Sequence, residues 1–270
     1  MDISANFDLK LSKAYKEHSC FQELEEMKDF YDCVFNRALY FRQFGTKEFI
    51  NYEAYVFLSM QGTLDSIKQL LLIGRLSDAT VLVRKYFDDI LAGIYLKITL
   101  KDKLDIDKSF FVEEIQKWID SKHRLPSLKC ILQTIKTSDC TKRLYPFFGW
   151  NTYLEHNRQI LDDCVHANGY SGMLLNCNTI YLDNDRERML DTLMKILKQL
   201  MTIQVAFIFH LSPDYMMASE YIDYTEMNME PPIGSEFWIS RFAYKAYVKY
   251  IKPHVKLAEY IKESCGLEIE

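Results

Sequence analysis

Glycine and proline are scarce in this chain, nine and six in 270 residues, and a fold of many short strands joined by tight turns needs more of both. No Cys-x-x-Cys pair occurs, and the cysteines (Cys20, Cys33, Cys130, Cys140, Cys164, Cys177 and Cys265) are odd in number and irregularly spaced. That excludes a disulfide framework and predicts reduced thiols, as in a cytoplasmic protein. The six histidines contain no His-x-x-x-His or His-Glu-x-x-His pair, so no helix-borne metal site is expected. Neither a glycine-rich phosphate loop nor a Gly-x-Ser-x-Gly elbow is present, and no cofactor is expected.

Long hydrophobic runs are also missing. The most apolar stretch, Val205 to Leu211, is far too short to span a bilayer and follows Lys195 and Lys198 on the same predicted helix, so it reads as core and no membrane association is expected. The opening MDISANFDLKLSKAY has no basic segment followed by an apolar one, the arrangement a secretory signal requires. A cytoplasmic location is expected. The net charge of −5 offers no global attraction for nucleic acid or anionic lipid, so any such binding needs a local patch.

What remains is an ordinary globular mixture, 49% hydrophobic and 26% charged, long enough to bury a large core. Its periodicity is helical. The segment from about Phe21 to Phe44 carries apolar residues at helical spacing and meets Gly45, a plausible C-cap. A second helix after Thr46 keeps Ile50, Ala54, Phe57, Gln61, Leu64, Ile67 and Leu71 on one stripe and ends at Gly74. Ser77 is placed to cap a third, with Leu76 stapled on Val81. These two long helices form an αα-hairpin. Shorter helices are predicted from Phe111 to Ile119 and after Pro126. Thr152 to Glu155 fits a capping box whose helix should stop at Asn168-Gly169, and a long helix runs from about Asp185 to His210. The last helical region is interrupted at Pro253. The expected architecture is an all-α helical bundle, a single domain over residues 1–270, with 1–45 as an N-terminal helical extension and 213–270 as a C-terminal helical subregion.

On the helix opened by Thr152, Arg158, Asp162 and His166 follow at i, i+4 and i+8. They form one drifting polar stripe opposite an apolar arc of Leu154, Leu161, Cys164 and Val165. One reading is a solvated face. The other makes His166 a general acid or base in RNA cleavage, with Arg158 stabilising the phosphoryl transition state and Asp162 between them; attack by a ribose 2′-hydroxyl would need no metal. Arg84 and Asp88, i and i+4 on a helix that is apolar on most sides, read as a structural ion pair.

The helix hairpin Ser59 to Tyr95, with Arg84 within Thr80-Val-Leu-Val-Arg-Lys-Tyr-Phe-Asp88, followed by Asn157-Arg158 and Val165-His166-Ala-Asn-Gly169, resembles the HEPN-like superfamily of bacterial stress response and phage defence over about a third of the chain. The resemblance implies a helical bundle that dimerises, and in many members an endoribonuclease joining two copies of an Arg, four to six residues, His motif at the subunit interface. Here seven residues separate Arg158 from His166; members lacking the motif are thought to be non-catalytic.

Two charged regions could serve partners. Arg241, Lys245, Lys249, Lys252 and Lys256 recur at spacings of 4, 4, 3 and 4, a stripe able to follow an RNA backbone or to remain a solvated face. The tract Pro213 to Glu236 carries six acidic residues and no Lys or Arg, and could pair with basic residues of its own chain or of a second copy. Beside the stripe stand Phe237, Trp238, Phe242, Tyr244, Tyr247 and Tyr250, read mainly as packing. The functional expectations are therefore an RNA-directed homodimer or a non-catalytic module binding a partner protein. A small-molecule-binding bundle would instead require a closed apolar pocket.

Overall fold

A computed structural model describes residues 11–41, 46–47, 51–104, 111–150, 152–177 and 183–269. Among these the chain is all-α, with isolated bridges such as Met217–Ile239 and Trp238–Glu268 but no strand. The helices are α1 (Lys13–Lys16), α2 (Cys20–Tyr40), α3 (Tyr52–Leu72), α4 (Leu76–Lys103), α5 (Glu113–Ile119), α6 (Leu128–Thr137), α7 (Tyr153–Val165), α8 (Tyr170–Leu174), α9 (Asp183–Leu211), α10 (Glu220–Glu226), α11 (Arg241–Ala246) and α12 (Val255–Ser264). A π-helical turn, Tyr247–Ile251, continues α11.

The chain packs as two compact units. The first comprises Met1–Tyr31, Leu58–Ile90 and Phe148–Leu200; the second comprises Asp32–Phe57, Leu91–Phe147 and Met201–Glu270. The expected 1–45 extension is divided between them, whereas 213–270 lies wholly in the second.

In the first unit the predicted hairpin forms between α3 and α4. Leu64, Ile67 and Leu71 are fully buried, and α3 ends in a Schellman turn: the Gly74 N–H donates to Leu71 O at 2.9 Å and the Arg75 N–H to Leu70 O at 2.8 Å. Gly74 has φ +75°, and a Cβ there would stand 2.9 Å from an Arg186 guanidinium nitrogen, so glycine is required twice over. Buried Arg186 donates to the carbonyls of Gly74 and Cys177, each at 2.9 Å. The start of α4 differs from expectation. It begins at Leu76, and its cap comes from Asn176, whose Oδ1 accepts from the Ser77 N–H at 3.1 Å and whose amide donates to Asp78 at 2.7 Å. Of the staple pair, Leu76 is fully buried and Val81 exposed. Tyr31 and Tyr86 bury their rings edge to face and share a hydrogen bond of 2.6 Å.

In the second unit α6 forms after Pro126 as expected, capped by Ser127, which accepts from the Cys130 N–H, and Ile131 and Ile135 point inward. Tyr52, Leu96, Leu100, Val112 and Ile115 form a cluster against which Trp118 packs. Residues 201–209 of α9 are buried on every side, which explains their lack of periodicity: a helix apolar all round belongs in a core. The helix is long and apolar enough to cross a membrane by composition, yet 72% of its most apolar window is buried. The helical end at Phe44-Gly45 and the stripe position Ile50 lie outside the described residues; α2 ends by Tyr40.

His210, near the end of α9, donates from Nε2 to Cys140 O at 2.6 Å; since a carbonyl only accepts, Nε2 carries the proton. Burial pushes its pKa below the ordinary 6.5, and Lys101 and Arg143 push the same way, against the hydrogen bond to Cys140. The folded state then binds fewer protons than the unfolded one, so the stability from a neutral His210 is complete above about pH 6.5 and lost as pH falls towards its folded pKa. Urea unfolding at stepped pH should show this loss in the native chain and a flatter profile in His210→Gln.

Candidate functional site

Helix α7 carries the predicted catalytic stripe, and its ends differ from the sequence expectation. Thr152 makes no side-chain cap. Its hydroxyl donates back to Gly149 O at 3.2 Å, so the capping box is absent. The helix stops at Val165 instead of running to Asn168-Gly169, with His166 as C-cap and Ala167 in the left-handed conformation, φ +51°. The Asn168 N–H closes a Schellman turn on Asp163 O at 2.9 Å. An alanine at that position is strained by its Cβ. Ala167→Gly is therefore expected to raise stability by about 0.5–1 kcal/mol, read as a higher urea midpoint at unchanged slope.

The two polar motifs singled out separately belong to one network. Arg84 of α4 pairs with Asp88, as predicted, and its Nε donates to Asp162 Oδ1 at 2.7 Å. The other carboxylate oxygen of Asp162 faces Arg158 Nε at 3.4 Å. Burial opposes the charge on Arg84, but the hydrogen bonds to Asp88 and Asp162 outweigh it and raise its pKa. Asp162 thus ties α7 to α4 through its hydrogen bond from Arg84, with Arg158 as a looser ion-pair neighbour, the geometry of a structural carboxylate. Arg158 keeps an outward face, its side chain 41% exposed.

His166 stands apart from this network. It is exposed, and eight residues of helix place it about 12 Å along the axis from Arg158 at 1.5 Å per residue. Within one chain the stripe does not bring the arginine and histidine to a common point. Of the expected apolar arc, Leu154 and Leu161 are buried, Cys164 is half-buried and Val165 is exposed.

Sequence reasoning missed a cavity of about 530 Å³ beside α7, lined by residues including Asp163, Cys164, Asn168, Ser171, Arg188 and Thr192. The Asn168 amide donates to Asp163 at 3.2 Å, and Arg188 approaches Asp185 at 3.7 Å. Burial raises the pKa of Cys164, so its thiol stays protonated and poorly nucleophilic. The cavity is open to solvent, unlike the closed apolar pocket expected of a small-molecule bundle. Its wall depends on α8, a five-residue helix too short to leave a periodic signal. Among the described residues no group of His, Cys, Asp and Glu is arranged to hold a metal ion.

The C-terminal basic residues are not on one helix. Arg241 and Lys245 belong to α11, Lys249 to the π turn, Lys252 to the break at Pro253 and Lys256 to α12. A π turn carries more residues per turn than an α-helix and shifts the face that follows it. Tyr247 and Tyr250 are core and Phe242 is half-buried, whereas Phe237, Trp238 and Tyr244 are exposed.

Between Ala218 and Trp238 the chain makes an excursion closed at its base. The Ala218 N–H donates to Trp238 O at 2.8 Å, the Ser240 N–H to Met216 O at 2.9 Å and the Glu268 N–H to Phe237 O at 2.8 Å. Helix α10 packs on the short 3-10 turn Ser235–Phe237 yet contains no buried residue. Met227, Met229 and Phe237 are 62%, 54% and 46% exposed, and Ile233 wholly so. Glu220, Asp223, Glu226, Glu230 and Glu236 stand among them, and none forms an ion pair among the described residues. The in-chain charge pairing allowed by the sequence is therefore not seen there. No protein-family model, curated protein or solved structure matches this chain.

Proposed function

We propose that this chain is a helical interaction module that binds a partner protein through the excursion between Ala218 and Trp238. The observation that carries this reading is the exposure of Met227, Met229, Ile233 and Phe237 on one base-closed segment, because several large apolar side chains left exposed on one short segment are what interaction sites present. Methionine and aromatic side chains are the residues such surfaces use most, being adaptable or large. The test is copurification of the native chain with a stoichiometric partner. Phe237→Ala or Trp238→Ala should release it and His166→Ala should leave it bound; retention by both aromatic variants rejects the reading.

A second reading is favoured by the exposure of Arg158 and His166 on one helix. In it the chain is a HEPN-like, RNA-directed protein of bacterial stress response or phage defence, an endoribonuclease acting as a cytoplasmic homodimer. A partner subunit would supply the proximity that about 12 Å of helix denies a single chain. His166 then serves as general acid or base, Arg158 stabilises phosphoryl charge, and Arg241, Lys245, Lys249, Lys252 and Lys256 bind the RNA backbone. Growth arrest on induced expression and RNA cleavage in vitro, both abolished by His166→Ala with helicity retained, are its expected results. A native chain that neither arrests growth nor cuts RNA rejects it.

A further inference from the structure

We infer that the partner segment seated on the Ala218–Trp238 excursion is a basic amphipathic helix; this rests on the interaction reading above and specifies its ligand. The excursion offers two complementary features at once. Its apolar side chains, Met227, Met229, Ile233 and Phe237, have no packing role in their own unit sufficient to bury them. Its carboxylates, Glu220, Asp223, Glu226, Glu230 and Glu236, are interleaved with them in a tract holding no Lys or Arg. Exposed carboxylates interleaved with apolar anchors select a cationic partner, since like charge brought to such a surface is repelled and an uncharged partner leaves the carboxylates uncompensated.

The form of the partner follows from the backbone. The base of the excursion is already paired through Ala218, Trp238 and Glu268, and among the described residues there is no extended sheet whose edge an incoming strand could join. Recognition must therefore run through side chains. A helix with apolar residues at i, i+3, i+4 and i+7 and Lys or Arg on its flanks presents both features on one side. Methionines suit this role because an unbranched thioether repacks around varied anchors.

The test uses the full chain and a synthetic amphipathic helix of leucine and lysine, fluorescently labelled, with a leucine and glutamate counterpart. The leucine–lysine peptide should bind and weaken with added salt, and the leucine–glutamate peptide should not. Glu226→Gln with Glu230→Gln, and separately Met229→Ser with Ile233→Ser, should each weaken binding by about tenfold or more, with helicity unchanged because all four side chains are exposed. Equal binding of both peptides, sensitive to the Met229 and Ile233 changes, overturns the basic partner and leaves apolar docking intact. Binding that ignores those changes, or no binding of either peptide, overturns the interaction reading with it. Self-association in sedimentation that Ile233→Ser abolishes would make a second copy the occupant and overturn the inference.

Discussion

Replacing Glu53 by alanine is expected to destabilise the second unit by about 3–5 kcal/mol, the range for removing one partner of a buried ion pair. Glu53 is buried and accepts from Lys97 Nζ at 2.6 Å and from the Tyr215 hydroxyl at 2.8 Å. Asn51 donates to the same hydroxyl at 2.5 Å, and the Lys97 ammonium lies 5.3 Å from the centre of the Tyr215 ring. Burial pushes the Tyr215 hydroxyl far above its ordinary pKa, so it stays a donor throughout. Alanine at position 53 would leave an ammonium with 14% of its side chain exposed and without its ion-pair partner. The double change Glu53→Leu with Lys97→Met should recover most of the loss, because neither charge is then stranded. Urea unfolding of both variants provides the comparison. Equal destabilisation by the single and the double change would show that packing, not charge, dominates there.

Asp162→Ala should cost about 1.5–3 kcal/mol, the range for a hydrogen bond to a charged group, and less than the Glu53 change because Arg84 keeps Asp88. Its effect should be specific in a second respect: Arg158 loses the carboxylate that faces it. A double-mutant cycle between Arg84→Met and Asp162→Ala should return a coupling near the full single-mutant cost, since the 2.7 Å contact carries the interaction. Additive effects would deny that the pair joins α4 to α7.

The hairpin of α3 and α4 was legible because its signals are local. One buried stripe and one glycine with a Schellman turn act within a few residues, and they hold in any context that buries the stripe. The helix at Thr152 shows where local reading stops. Its sequence satisfies a capping box, but a hydroxyl can serve only the acceptor or donor within reach, and here Gly149 O takes it. Likewise the cap of α4 is Asn176, far away in the chain, and no nearby pattern could reveal it.

Composition and periodicity by themselves determined the all-α class, the absence of a disulfide framework and the burial of the Val205–Leu211 segment, since each follows from residue type and spacing along one helix. Tertiary structure alone decided that Arg84, Asp88, Asp162 and Arg158 form one network, and that Glu220, Asp223, Glu226, Glu230 and Glu236 face outward. Those facts depend on which helix meets which, and charged side chains take their partners from whatever the packing of apolar faces brings within reach.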